Sequence, residues 1–243
     1  LGPSAGYVLK NQGEESQVAP ALAAMDSLGM RTALVSGMQA ICGDPVDGNA
    51  VLEKILLPHA GRFQGYLGFN PFYADALVRQ FGRYFSGPFF AGFKTLCGYW
   101  GVKTDDRRFK PMWAYADRHR LPILNHTWGE DDVGRLGRVA ARYPRAHFLI
   151  GHSGGTLEGR RAAESVVRRR RNVYLEWCGS FCNPVLWEDT LGRVNPRQVV
   201  FGTDAMAHDI YWELGRLLSL DVPDEPLVPI LGGTMRRLLG LRR

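Results

Sequence analysis

Apolar residues gather in seven short runs along the chain, at residues 31–36, 63–69, 90–95, 122–126, 147–151, 172–177 and 198–203. Each is rich in β-branched, leucine or aromatic residues, and their starts lie 25 to 32 residues apart. Between them the apolar positions take helical spacing, over 45–57, 71–85, 106–120, 131–143, 156–170 and 184–191. One more helical stretch, 18–28, precedes the first run, and two, near 208–220 and 227–239, follow the last. A strand and a helix alternating at this interval form the βα unit of a parallel sheet.

Two α/β architectures fit that rhythm. An open doubly wound sheet would carry a glycine fingerprint after its first strand, but the first run ends Val35-Ser36-Gly37-Met38-Gln39. A closed (β/α)8 TIM barrel needs eight strands. The helix at 18–28 stands before the first run, where a barrel would already have placed a strand. The barrel reading therefore numbers the seven runs as strands two to eight, and expects strand 1 upstream of Leu1. At 243 residues the chain matches the ~250 of a barrel. Residues 1–243 are read as one barrel domain, truncated at its N-terminus.

Composition narrows this further. Apolar residues make up 45% and charged residues 22%, a globular balance with material for a large core. No apolar run reaches the ~18 residues of a membrane span. Cys42, Cys97, Cys178 and Cys182 form no CxxC pair, and in a chain this long they read as buried thiols. No signal-peptide pattern is visible, so the expected location is the cytoplasm. The net charge of +6 arises after residue 100, much of it in Arg160-Arg161 and Arg168-Arg169-Arg170-Arg171. These flank a helical pattern without interleaved aromatics, so they read as a solvated helix and not as a nucleic-acid surface.

Catalysis on a parallel barrel is built at the C-terminal ends of the strands. Those ends carry Asn70 on the third strand, Lys94 on the fourth, Asn125-His126 on the fifth, His152 on the sixth, Glu176 on the seventh and Asp204 on the eighth. A barrel core has no need of such residues there. Helix capping or a loop position accounts equally well for Asn70 and Glu176, whereas His126, His152 and Asp204 together point to function. Neutral imidazole and carboxylate suit Zn2+, Mn2+ or Fe2+. Such an ion lowers the pKa of a bound water or polarises a carbonyl. His126 and Asp204 supply two ligands, short of the three a catalytic zinc site takes.

Several segments resemble the amidohydrolase-related (Amidohydro_2-type) branch of the amidohydrolase superfamily. They are Gly92-Phe93-Lys94, Leu124-Asn125-His126-Thr127, Gly151-His152-Ser153-Gly154-Gly155, Val173-Tyr174-Leu175-Glu176, Phe201-Gly202-Thr203-Asp204 and the tail from Ile230 to Leu241. The resemblance implies a barrel holding one divalent metal, with Zn2+ first and Mn2+ or Fe2+ as alternatives. By the same resemblance His126 is a metal ligand, Asp204 is both ligand and proton acceptor, and His152 is the catalytic histidine of the sixth strand. The HxH that this family carries at the end of strand 1 is absent from the sequence, and it is expected just before Leu1. The family also has lactone-hydrolysing members that need no metal. The expected activity is a metal-dependent hydrolase of amides, esters or lactones acting on a small molecule. The alternative is a decarboxylase of aromatic or unsaturated acids on the same groups. The resemblance makes a homodimer the expected assembly.

Other residues admit competing readings. Lys94 binds a substrate carboxylate or oxyanion, or reaches solvent. Trp128 and Tyr99-Trp100 wall a pocket for a planar substrate, or pack at the rim. Asn70 joins them as a substrate-binding candidate. Gly151-His152-Ser153-Gly154-Gly155 also satisfies GxSxG, which would make Ser153 a nucleophile with Asp204 and His208. Against it, Asp204 and His208 stand only four residues apart. His59 and His119 read as surface residues, His147 as part of the stability face, and Cys178 and Cys182 as apolar filler. A barrel that has lost its metal and its catalysis is the remaining alternative, supported by the missing HxH.

Overall fold

The computed structural model describes residues 17–179, 184–205 and 208–241. Seven parallel strands form one sheet in chain order: β1 (Ala33–Val35), β2 (Phe63–Gly68), β3 (Phe90–Thr95), β4 (Pro122–His126), β5 (His147–Gly151), β6 (Val173–Trp177) and β7 (Val199–Phe201). They take barrel positions two to eight of the TIM-barrel architecture, and the first position lies outside the described residues. Each connection carries helix: α1 (Val18–Ser27) before β1, then α2 (Met38–Cys42), α3 (Pro45–Leu56), α4 (Ala74–Val78), α5 (Phe81–Ser86), α6 (Lys110–His119), α7 (Glu130–Arg142), α8 (Leu157–Arg169), α9 (Pro184–Leu191), α10 (Ile210–Leu218) and α11 (Thr234–Leu238). No described helix is long and apolar enough to cross a membrane.

Local chemistry explains most boundaries. Asp44 caps α3 through the amides of Val46 and Asp47, and Pro45 stands in its first turn, where the missing N–H costs nothing. Glu130, Asp131 and Asp132 open α7, where carboxylates favour the positive end of the helix dipole. The helix expected over 71–85 is instead a 3-10 turn (Pro71–Tyr73) followed by α4 and α5. An i→i+3 bond from the Gln80 amide to Leu77 O (3.0 Å) divides them. The stretch expected near 227–239 opens as a π turn (Pro229–Gly233) and only then becomes α11. The short helix α2 was not foreseen.

The alternation of side chains across a strand sorts the residues into two cores. One set, with Leu67, Phe93, Ile123, Phe148, Ile150, Leu175 and Val199, packs outward under the helices. The other fills the lumen with Tyr66, Leu149, Tyr174 and Val200, against which Leu34, Leu124 and Met235 pack. Leu238 of α11 belongs to the same inner cluster, so the last helix closes onto the lumen. Counting two residues on from Gly92, Leu124 and Tyr174 puts Lys94, His126 and Glu176 in one inward layer at the C-terminal end.

The basic run is not uniformly solvated, which corrects the expectation for Arg160. Its guanidinium is buried, donating from Nε to Thr190 Oγ1 (2.9 Å) and from Nη2 to the Leu186 carbonyl (2.7 Å). It thereby ties α8 to α9. Arg168 to Arg171 are exposed at the C-terminal end of α8. His119 is also exposed, stacked on Tyr115, whereas His59 is half-buried.

His147 opens β5 at the opposite end of the barrel, edge-on to Tyr174. Its Nδ1 is buried without a hydrogen-bond partner. Burial, then Arg237 and Arg120, hold its pKa down to about 4. The unfolded chain binds a proton near 6.5 that the folded chain refuses, so stability rises with pH between those values. The contribution of His147 to stability should fall by ~1–3 kcal/mol between about pH 6.5 and 4, allowing for solvent screening. In His147→Gln, urea melts across that range should show a flatter dependence.

Candidate functional site

The upper lumen is built from strand ends. Lys94 comes from the end of β3, His126 closes β4, and His152 follows β5 directly. Glu176 lies within β6, Cys178 is one residue past it, and Asp204 stands three residues beyond β7. The rings of His126 and His152 are 4.9 Å apart. Trp128 lies nearly parallel to His126 at 6.0 Å and 10°, and Tyr99 meets His126 edge-on at 5.1 Å. Tyr99 and Trp128 are largely exposed, so they form the aromatic mouth of the site.

Glu176 organises the floor. Its Oε2 accepts from the His152 amide (3.2 Å) and from the Cys178 thiol (2.9 Å), and its main-chain carbonyl accepts from Ser153 Oγ (3.0 Å). Cys178 Sγ also lies 3.5 Å from His152 Nδ1. One ligand atom each from His152, Cys178 and Asp204 falls within 4.8 Å of the others. His208 Nε2 stands 3.9 Å from Asp204 Oδ2. Behind them Glu213 is fully buried; its Oε1 pairs with Arg216 Nη1 (3.0 Å), while its Oε2 has no partner. Arg216 Nη1 also reaches the Gly179 carbonyl at 3.3 Å.

Two glycines make room for this packing. A Cβ on Gly202 would fall 1.7 Å from Glu176 Oε1, and one on Gly179, whose φ is +75°, would fall 2.7 Å from His152 Nδ1. Gly202→Ala should therefore swing the Glu176 carboxylate away from the His152 amide and the Cys178 thiol. We expect kcat/KM to fall about 10–100-fold, the order of effect of losing a hydrogen-bonded partner that positions an active-site group. Circular dichroism should show the fold retained.

The backbone is strained where the functional groups sit. The non-glycine residues with positive φ among those described are Arg120 (57°), His152 (57°), Ser153 (50°) and Asp204 (48°). Three of the four belong to this site, and such conformations persist where surrounding structure enforces them.

The electrostatics favour a cation. Burial, then His152 and Lys94, push His126 down to about 3, so it is a neutral imidazole, the form that binds metals. Burial, with Glu176 and Asp204 adding, raises the Cys178 thiol well above its ordinary range. Burial, with Glu176 and Asp204 adding against Arg216, raises Glu213 to about 7. These carboxylates feel one another, and a divalent ion among them would relieve that repulsion. The nitrogen, sulfur and oxygen donors present are a set that such an ion accepts.

The structure thus brings together His126, His152, Asp204, Lys94 and Trp128. Asn70 has a different part: its Oδ1 accepts from the Phe72 amide (3.1 Å) and caps the turn after β2. Trp100 is bound to the Ile41 carbonyl through Nε1 (2.8 Å), which makes it a packing residue rather than a pocket wall. Ser153 is 1% exposed with its hydroxyl given to a main-chain carbonyl, which removes the serine-nucleophile reading. Cys178 and Glu176 are the residues that sequence reasoning undervalued. The inward series Tyr174, Glu176, Cys178 was the available signal. Cys182 lies outside the described residues.

A sequence profile of the amidohydrolase family (Amidohydro_2) matches residues 12–241. No curated protein sequence matches the chain. Among solved structures, a 2,6-dihydroxybenzoate decarboxylase from Rhizobium superposes with a TM-score of 0.73 at 16% identity, over 96% of this chain and 94% of that one. A 5-carboxyvanillate decarboxylase from Novosphingobium aromaticivorans, crystallised with manganese and 4-hydroxy-3-methoxy-5-nitrobenzoic acid, gives 0.72 at 15% identity, over 97% and 86%. A putative amidohydrolase from Staphylococcus aureus gives 0.75 at 15% identity, over 93% and 92%. With the profile spanning nearly the whole sequence, the chain belongs to the amidohydrolase family.

Proposed function

We propose that this chain is a metal-dependent carboxy-lyase acting on a hydroxylated aromatic acid. The observation that carries the reading is Lys94. Lys94 is 8% exposed as a residue, and no ion pair or hydrogen bond to its ammonium occurs among the described residues. The ammonium is not among the enclosed polar atoms without a partner, so it opens into the lumen, where a substrate carboxylate can pair with it. The field of Lys94 reaches both His126 and Cys178, so the carboxylate it holds lies over the floor of the site. Tyr99 and Trp128 offer ring faces to a planar substrate at the mouth. Solved relatives at low identity include decarboxylases of 2,6-dihydroxybenzoate and 5-carboxyvanillate, which agrees with this class of substrate.

His126 and Asp204 would hold the metal, with the strand-1 ligands that the family resemblance implies completing it. When bound, the ion would supply Lewis-acid chemistry toward the anionic substrate. In the reaction the bond from ring carbon to carboxylate breaks, CO2 leaves, and the electron pair stays on the ring carbon. That carbon then takes a proton. Asp204 is the acid placed for this delivery, and His208, 3.9 Å away and partly exposed, resupplies the proton from solvent. Lys94 fixes the leaving carboxylate, and the stacked pair of His126 and Trp128 limits where the ring can lie.

Hydrolysis, the leading expectation from the sequence, would use the same Asp204 and His208 on a water molecule. Lys94 separates the two readings, because a neutral amide or lactone leaves its ammonium uncompensated. The test is product analysis on a panel of hydroxybenzoates, neutral lactones and amides with Mn2+ or Zn2+ present. One CO2 released per phenol formed supports the proposal. Turnover of the neutral compounds with none of the acids returns the reading to a hydrolase.

A further inference from the structure

The end of the barrel away from the catalytic face carries a cavity that the chemistry above does not use. It lies at the start of β5, between the C-terminal ends of α7 and α8, and measures about 310 Å3, the size of a small-ligand pocket. We propose that it binds a small, multiply charged anion of the phosphate class. The cavity and His152 stand at opposite ends of β5, so the proposal holds or fails independently of the decarboxylase reading.

The wall of the cavity is basic. Arg169, Arg170 and Arg171 line it with His147 and Asn172, and no Asp or Glu does. No ion pair or hydrogen bond to these three guanidiniums occurs among the described residues, whereas nearby Arg145 is paired with Asp117 at 3.0 Å. The fields of Arg237 and Arg120 reach His147 as well. Cations from several elements thus surround one imidazole and repel one another, and an anion among them relieves that repulsion. The planar guanidinium fork matches the paired oxygens of a phosphoryl group.

Helix capping does not account for these arginines. Basic side chains near a helix end can bond its last carbonyls, but here carboxamides already do so. Gln198 Nε2 donates to the carbonyls of Val167 (3.1 Å), Arg170 (2.9 Å) and Val173 (3.1 Å) around the end of α8. Asn172 Nδ2 donates to those of Ala140 (3.1 Å), Tyr143 (3.0 Å) and Ala146 (3.1 Å) around the end of α7. The surroundings also set the class of ligand. The exposed large apolar and aromatic residues among those described all lie on other segments. This face therefore lacks the apolar side chains that enter a lipid surface and the stacking aromatics that hold single-stranded nucleic acid.

Calorimetric titration of the intact chain with pyrophosphate at low salt tests the proposal. One pyrophosphate per chain is expected, with affinity falling as sodium chloride is added. Arg170→Gln with Arg171→Gln should weaken binding about tenfold or more. Arg79→Gln with Arg107→Gln, which removes the same charge away from the cavity, should change it less than about twofold. All four arginines are exposed, and matching melts would show that the fold is kept. In NMR spectra the ring signals of His147 should move as pyrophosphate is added. Its titration should also move upward, because an anion beside Arg120, Arg237 and Arg169 to Arg171 offsets the charges that face the ring. If the cavity variant does not fold, these His147 shifts in the wild type decide. Absence of binding, equal losses in the two double variants, or unmoved His147 signals overturn the proposal. Binding to phosphatidylglycerol vesicles with none to pyrophosphate also overturns it, and assigns the face to a membrane surface.

Discussion

Lys94→Met should lower kcat/KM for an aromatic acid on the order of 10²–10³-fold, the ~3–4 kcal/mol that a buried charge contributes when it pairs with a substrate carboxylate. The same substitution should stabilise the ligand-free fold by about 1–3 kcal/mol. Methionine fills much the same volume without an ammonium that must be desolvated. Opposite signs on activity and stability are the signature of a charge kept for its ligand. A third readout follows from the field of Lys94, which helps to hold His126 down. In Lys94→Met the His126 titration seen by NMR should move upward. A variant that loses activity and stability together would make Lys94 a structural residue.

Asp204→Gly should abolish turnover, by about 10³-fold or more, equal to ~4 kcal/mol of transition-state stabilisation. It should nevertheless raise the melting temperature of the metal-free protein. Asp204 has φ 48°, and relieving a left-handed residue with glycine gains roughly 1 kcal/mol. Removing its carboxylate also frees Glu213, whose pKa it helps to raise, from a like charge. Glu213 should then titrate lower, which narrows the window below about pH 7 over which the fold loses stability as pH rises. The gain should vanish when metal is present, because the wild type then recovers binding energy that the variant cannot. Asp204→Asn, which keeps the shape and tolerates the same backbone region, separates loss of charge from relief of strain. It should lose activity with a smaller change in stability than the glycine variant.

Much of this architecture was legible from residue types alone. The alternation of apolar runs and helical stretches locates all seven described strands to within a few residues, because parallel strands buried on both faces read as continuous apolar segments. His126, His152 and Asp204 stand out because a polar residue that ends such a run has no packing reason to be there. Asn70 met the same criterion for a local reason, since its carboxamide caps a turn. Cys178 was hidden for the opposite reason: a buried thiol looks like filler until its partners are known. The role of Arg160 was equally invisible, because its acceptors Thr190 and Leu186 lie on another helix. Sequence spacing gives which face a residue occupies, but the partner across the fold comes only from three-dimensional packing.

The central claim is that one metal-dependent site, built around His126, Asp204 and Lys94, removes a carboxylate from an aromatic acid. The most direct measurement follows labelled CO2 from carboxyl-labelled hydroxybenzoates, with bound metal determined in the same samples after stripping and after reloading. The account predicts no release from the stripped protein, release that rises in step with metal bound, and release suppressed in Lys94→Met at equal metal content. Release that ignores metal content, or metal-loaded protein that splits neutral esters and leaves the acids untouched, would contradict it.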